Sequence, residues 1–340
     1  MSRNIPIDTL RGIACILLVA FHVVGGQDTG LRLDTSHFLS EVNNVLIYLR
    51  MPLFSFLSGF VYGWRPYRGE PGKFVKAKVR RLLIPMLLVG TFHVVLQSLT
   101  PGVNGAHYDW SMLHILPVAH FWFLESLFIV FMVTAVLERL GLLSTPGRLL
   151  AFWLAAVILF MSTSPTEILG INGAVYLFPF FLLGLACNRF GEQLQQIPVG
   201  WMAAGLLGFV LYLVLADQGF PVWNSLTAVL LGAGSCIVLL RSRIQVRWLA
   251  WIGYFSFAIY LFHSMFSAAS RIALVRLGVE SVSALFVSGL LVGILGPILA
   301  YVILRRLPMG HWPLGEPFKA KPQALPVQPV SAQTRSTSAP

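Results

Sequence analysis

Arg11 and His22 stand eleven residues apart in the stretch RGIACILLVAFH, the first apolar segment of the chain. On an α-helix eleven residues rise about 16 Å and return to nearly the same face, because three turns use roughly 10.8 residues. A permanent cation and an imidazole that titrates near neutrality therefore share one stripe of an otherwise oily helix. Ionisable groups are costly at membrane depth, so a matched pair there is a functional feature before it is anything else. The cation suits an anionic ligand, and the neutral imidazole suits removal of a proton from a hydroxyl.

The elements that must position this pair follow from composition. Of 340 residues 56% are hydrophobic and only 11% charged, and mean hydropathy is +0.77. Soluble domains run at about 25% charged residues, so this chain belongs in a bilayer. Ten apolar runs are readable, at about Leu10–Gly26, Val45–Trp64, Leu82–Leu99, Phe121–Leu137, Leu149–Met161, Ala174–Cys187, Val199–Ala216, Trp223–Leu240, Trp248–Ala269 and Val282–Leu304. Several fall short of the ~20 residues of a straight span. The fifth and sixth are the shortest and are open to being tilted, broken or partly re-entrant.

Loop charge orients the runs. With the N-terminus cytoplasmic, 20 of the 24 Lys and Arg residues fall in inner segments and three (Arg32, Arg271, Arg276) in outer ones, with Arg50 inside a span. That asymmetry is what the positive-inside rule expects of ten helices with both termini cytoplasmic. It also explains the net charge of +11 without nucleic acid, which would need a basic face on a soluble domain. Trp64, Trp110, Trp201, Trp223 and Trp248 lie near expected helix ends, as an interfacial belt would place them. The expected architecture is an all-α polytopic bundle over residues 1–304. A cytoplasmic, Pro-rich tail over 305–340 is expected to be disordered, since it cannot bury a core. Arg3 and the apolar run after it resemble a signal peptide, but no small-x-small cleavage site follows, so the first helix is read as retained. Cys15, Cys187 and Cys236 all lie in apolar runs without CxxC spacing. They suggest neither a disulfide framework nor a metal site, and no metal is expected.

Orientation also gives depth to the remaining polar residues. His22, Arg50, His93, His120, Glu125, Tyr260 and His263 come from five helices and all fall in the outer half of the bundle. We read that convergence as a site. Other readings stay open: an intramembrane His can serve only as a helix–helix hydrogen bonder. Arg50 can snorkel outward or pair with Glu125, and Tyr260 can be a belt residue. His37, His107 and His114 lie in loops and need no special role. The second feature is the segment Arg65–Arg81, which carries seven cations and ends KFVKAKVRRLLIP just before an outward-running helix. It can serve topology alone, hold a multiply phosphorylated cytoplasmic ligand at a helix N-terminus, or attract anionic lipid headgroups.

RGIACILLVAFH, MPLFSFLSGF, the basic run closing in RRLLIP, HFWFLESL and FSFAIYLFHSMF follow one another from about residue 3 to residue 304. In that order they resemble the landmarks of the integral-membrane acyltransferase-3 family. The resemblance implies transfer of an acyl group, most often acetyl, from cytoplasmic acyl-coenzyme A to a hydroxyl of an extracytoplasmic or polyprenol-linked glycan. The setting it implies is the bacterial inner membrane, among membrane lipids and alongside polysaccharide-assembly proteins, with no nucleic acid partner. The family's signature Arg and His map onto Arg11 and His22. Its Arg-x-x-Arg motif is met here by Lys78-x-x-Arg81 with Arg80 adjacent; lysine keeps the charge but loses the planar fork. Unlike some members, this chain carries no fused SGNH-type domain.

The resulting expectation has Arg11, Lys78, Arg80 and Arg81 holding the phosphates of acyl-CoA while its long arm reaches His22. His22 acts as general base, or in a second version is itself acylated. Glu125 orients the imidazole, and Arg50, Tyr260, His120 or His263 serve the oxyanion or the acceptor. The competing class is a proton-coupled transporter or flippase using the same polar set as a relay, against which stands the lack of paired halves with matching broken helices.

Overall fold

The computed structural model describes residues 4–26, 28–101, 108–163, 168–194, 198–215 and 221–317. Among them it is all-helical, without a β-strand. Helix α1 (Ile5–Val24) starts at Asn4, whose side chain accepts from Ile7 N at 3.1 Å, and stops at Gly25, where φ is 69°. Then come α2 (Phe38–Val45), α3 (Ile47–Trp64), α4 (Pro71–Lys78), a π-helical turn (Val79–Leu83) and α5 (Ile84–Leu99). They are followed by α6 (Trp122–Arg139), α7 (Pro146–Ser162), α8 (Ile171–Arg189), the single-turn α9 (Gly191–Leu194) and α10 (Val199–Leu215). The last four are α11 (Leu226–Arg241), α12 (Arg247–Tyr254), α13 (Ser256–Arg276) and α14 (Val282–Leu304).

Among the described residues six helical stretches are long and apolar enough to cross a membrane, or seven when α2 and α3, bent by 40°, are taken as one span. Shorter apolar helices occupy Pro146–Ser162, Val199–Leu211 and Leu226–Arg241. The protein is therefore a multi-pass membrane protein, and the apolar runs of the sequence coincide with its helices.

Three local expectations change. The sixth run is a full 19-residue helix. The ninth is not one helix: it breaks at Phe255 between α12 and α13. The basic segment before Leu82 is not a loop either, because α4, the π turn and α5 run on as one 29-residue stretch. Pro71 in the first turn of α4 is a favourable start, where its missing N–H is not needed. The end of the chain also departs from expectation. Residues 308–315 form successive turns folded against the bundle, with Leu314 buried, while 318–340 lie outside the described residues.

Backbones approach closely at two crossings. A Cβ on Gly12 would lie 2.0 Å from the Leu249 carbonyl oxygen, and one on Gly253 would lie 1.8 Å from that of Asp8, so α1 and α12 touch glycine to carbonyl in both directions. The α3–α8 crossing repeats the device, with Gly59 on Phe181 O and Gly184 on Phe56 O at 1.9 Å each. Small residues that admit backbone contact are how helices associate where lipid removes the hydrophobic drive. Serine hydroxyls add polar links between helices, Ser55 to Leu177 O and Ser126 to Gly170 O, both 2.7 Å, and Ser267 to Gly289 O at 3.0 Å. These contacts fix α1 to α12, α3 to α8 and α13 to α14, and so hold the helices on which the site is built.

Candidate functional site

His22 lies in the last turn of α1, and its ring turns into the bundle. The imidazole of His263, from the middle of α13, is 4.8 Å away centroid to centroid, and that of His120 is 5.5 Å away. His120 and His263 are themselves 4.7 Å apart, and His93 of α5 stands 6.0 Å from His120. His120 is delivered by a 3-10 turn (Ala119–Phe121) ahead of α6. Ala119 holds a left-handed φ of 42° to make that turn, a conformation costing an L-residue about 1–2 kcal/mol. Backbone strain of this kind gathers at functional sites.

Few hydrogen bonds satisfy these rings. Nδ1 of His263 lies 2.9 Å from the carbonyl oxygens of both Ile259 and Tyr260. Carbonyls only accept, so Nδ1 carries the hydrogen and Nε2 keeps its lone pair. That Nε2 has no partner, nor does either ring nitrogen of His120 or the Nδ1 of His93. Tyr260 donates its hydroxyl to the backbone oxygen of His120 and so pins the turn. Buried polar atoms without partners are rare, and a group of them in one place points to a ligand or to chemistry.

Arg50 of α3 is buried against the cluster, its guanidinium 4.0 Å above the ring of Phe21. It donates to the backbone oxygen of Asn43 at 2.8 Å and to its side-chain oxygen at 3.1 Å, while Nε has no partner. Glu125 goes elsewhere. Although buried at the same level, it makes no hydrogen bond to His22 and no ion pair with Arg50. Its carboxylate instead packs 3.1 Å from where a Cβ would stand on Gly170. The two loop histidines within the described residues are in local roles. His37 accepts from Leu39 N at the start of α2, and His114 sits 2.9 Å from the Thr91 hydroxyl. His107 lies outside the described residues.

The ring nitrogens of His22, His120 and His263 lie within 4.8 Å of one another, which makes them a conceivable metal trio. Tetrahedral zinc with ~2.0–2.1 Å bonds needs nitrogens about 3.3 Å apart, so the trio is more open than such a site.

At the other end of α1, Arg11 pairs with Asp8 at 3.2 Å. A cavity of about 550 Å³ opens nearby, lined by Arg81, Arg305, Glu316 and the aromatic rings of Tyr254, Phe257 and Tyr301 among others. Arg81 belongs to the π turn, and Arg11 lies within its electrostatic reach. The break at Phe255 brings the N-terminus of α13, which has no side-chain cap, to the same wall. Helix N-termini favour anions.

The four cations expected to act together are divided. Lys78 places its ammonium 3.2 Å from the centroid of Phe131, toward α6. Arg80 is half-buried with Nε unpartnered. Arg305, not singled out in the sequence because it opens the presumed tail, joins Arg81 in the cavity and pairs with Glu316 at 3.4 Å. Glu316 also accepts from the Tyr301 hydroxyl at 3.1 Å. The only signal for this pair was an acid following two adjacent arginines at the end of the last helix.

Comparison with known proteins adds two findings. Residues 4–302 match the family model described as an acyltransferase domain. Over 188 residues, 54% of this chain, the sequence is 28% identical to Nodulation protein NolL of Sinorhizobium fredii (strain NBRC 101917 / NGR234). That alignment spans 48% of the relative's length. No solved structure matches the chain.

Proposed function

This chain belongs to the acyltransferase family whose domain model it matches from residue 4 to residue 302, and we propose that it moves an acyl group, most simply acetyl, from acyl-coenzyme A to a glycan hydroxyl. The proposed setting is a bacterial inner membrane crossed by ten helices with both termini cytoplasmic, so that the arginine end of α1 faces the cytoplasm and the histidine end faces outward. The acceptor is an extracytoplasmic or lipid-linked sugar.

The observation that carries this reading is the division of α1 itself. One end carries Arg11 near an aromatic-lined cavity that holds Arg81 and Arg305, and the other presents His22 to a nest of imidazoles. Coenzyme A has the same division, with phosphates and an adenine at one end and a thioester at the tip of a thin arm. Arg81 and Arg305, with Arg11 and the free end of α13 close by, suit the phosphates, and the tyrosine and phenylalanine rings suit the base. Lys78 and Arg80 add positive potential from behind. About 16 Å of helix separates Arg11 from His22, a span the donor's extended arm covers.

At the far end His22 takes the proton of the acceptor hydroxyl as its oxygen attacks the thioester carbonyl. The tetrahedral intermediate collapses with cleavage of the C–S bond, and His22 returns the proton to the departing thiolate. The lone pair on His263 Nε2 suits it to hold a hydrogen of His22, the orienting role that Glu125 was expected to fill. Arg50 supplies positive charge near the developing oxyanion, with Nε uncommitted. Tyr260 keeps His120 in place.

The test is transfer of labelled acetyl from acetyl-CoA by purified protein to base-stripped glycan from cells lacking the protein. Ester formation that disappears in His22→Ala, with coenzyme A binding retained, is the expected result. An active His22→Ala enzyme would overturn the assignment.

A further inference from the structure

A second cavity, of about 540 Å³, opens at the histidine end of the bundle and plays no part in the chemistry above. Its walls carry Tyr108, Trp122, Tyr176 and Trp223, together with Asp109 and Asn172. We propose that this cavity is the acceptor subsite and that it takes an uncharged or amine-bearing pyranose segment of a glycan, not an anionic sugar; the proposal rests on the acyl-transfer reading.

The composition is what a sugar ring needs. A pyranose has an apolar face of C–H groups that lies on an aromatic ring, and an equator of hydroxyls that needs acceptors and donors in its plane. Tyr176 and Trp223 stand nearly perpendicular, centroids 6.0 Å apart with planes at 88°, so they form two sides of a corner and do not stack on one another. Trp223 is braced from behind by Phe160 at 5.3 Å. Trp122 packs close to α8 at Gly173, where a Cβ would come within 2.6 Å of the indole, and both residues line the cavity.

Polar groups then decide the ligand class. Asp109 accepts from the backbone N–H of Ser111 at 2.9 Å and from its hydroxyl at 2.7 Å, both on Oδ1. Those bonds hold its carboxyl below the usual range, so it stays ionised, a group suited to hydroxyl or ammonium donors. Among the described residues lining the cavity there is no lysine or arginine. A uronate or phosphosugar would meet a carboxylate with nothing to neutralise it. A lipid chain fits worse still, since it would lay hydrocarbon against the ionised carboxylate of Asp109.

Position links the cavity to the reaction. Val118 and Trp122 both line it, and His120 lies between them in the chain with its ring against His22 and His263. Gly170, another lining residue, lies over the Glu125 carboxylate and accepts from Ser126 through its backbone oxygen. The Val118 and Trp122 side of the cavity is therefore two residues of chain from an imidazole of the cluster. Glu125, which does not reach His22, packs behind the Gly170 wall of the cavity.

The experiment uses full-length protein, labelled acetyl-CoA and the base-stripped glycan, with methyl β-D-glucopyranoside and methyl β-D-glucuronide as competing probes. Trp223→Ala should raise the apparent KM for glycan about tenfold, and Trp223→Phe less, with KM for acetyl-CoA and kcat near wild type. Asp109→Asn, a change at an exposed loop position that leaves packing alone, should narrow the preference for glucoside over glucuronide at least threefold. Unchanged glycan KM in Trp223→Ala, or equal inhibition of wild type by the two glycosides, overturns the subsite while leaving acyl transfer standing. A wild-type protein that forms no ester overturns both.

Discussion

At the histidine end of α1 the polar groups are, Arg50 aside, imidazole rings tilted against one another and largely without hydrogen bonds to the protein. At the arginine end they are full charges, and most have found a counter-charge or an aromatic face. Arg11 has Asp8, Arg305 has Glu316, and Lys78 has Phe131. In the acyl-transfer reading the difference follows from what each end would hold. Anionic phosphates need charge that is present before the ligand arrives, and such charge must be balanced while it waits. Proton transfer needs groups that stay neutral until the moment of reaction, and imidazole is the side chain that does so near physiological pH.

The sharpest way to break this comparison is His22→Ala. We expect kcat to fall about a thousandfold or more, within the range assigned to general base catalysis with loss of the reacting geometry, while isothermal titration shows coenzyme A binding unchanged. Next comes His263→Ala, a positioning change. Here kcat should fall about a hundredfold and the pH at half-maximal kcat should shift, with His263→Asn recovering part of the loss; a purely structural role would leave the pH profile alone. Arg81→Ala should weaken coenzyme A binding about tenfold with kcat at saturation little altered, and Arg81→Lys should fall between because it keeps the charge but not the fork. The smallest effect belongs to Glu316→Gln. Freeing Arg305 from a partly exposed ion pair worth at most about 1 kcal/mol should tighten binding no more than about fivefold, less in high salt. If Arg81→Ala lowered kcat and His22→Ala abolished binding, the two ends would not be separate in function.

Much of the bundle was legible because apolar runs report on helices directly. The Arg11–His22 stripe was legible for the same reason, since both residues sit on one regular helix. What failed was rotation. Depth placed Glu125 beside His120, yet five residues of α-helix turn the chain by about 140°, and Ala119 adds a left-handed step before the helix begins. Glu125 accordingly faces Gly170. Tyr260 and His263, three apart on an unbroken helix, did arrive together. The Arg305–Glu316 pair was hidden by composition: the segment after α14 reads as a polar, Pro-rich tail, and nothing local shows that Leu314 is buried. The break at Phe255 was equally silent, because Trp248–Ala269 has no charged residue and contains neither proline nor any other strong helix breaker besides Gly253. That glycine is required by the contact with α1.

The two glycine-to-carbonyl crossings have a mechanical meaning. Helices whose backbones touch at Gly12, Gly253, Gly59 and Gly184 cannot slide past one another without driving an oxygen into a neighbouring chain. Carriers that rock between two open states need interfaces that glide, and these are keyed. In the acyl-transfer reading the protein is therefore the stationary part of the machine, and what travels across the bilayer is the flexible arm of the donor, bringing one small acyl group to a wall that does not move.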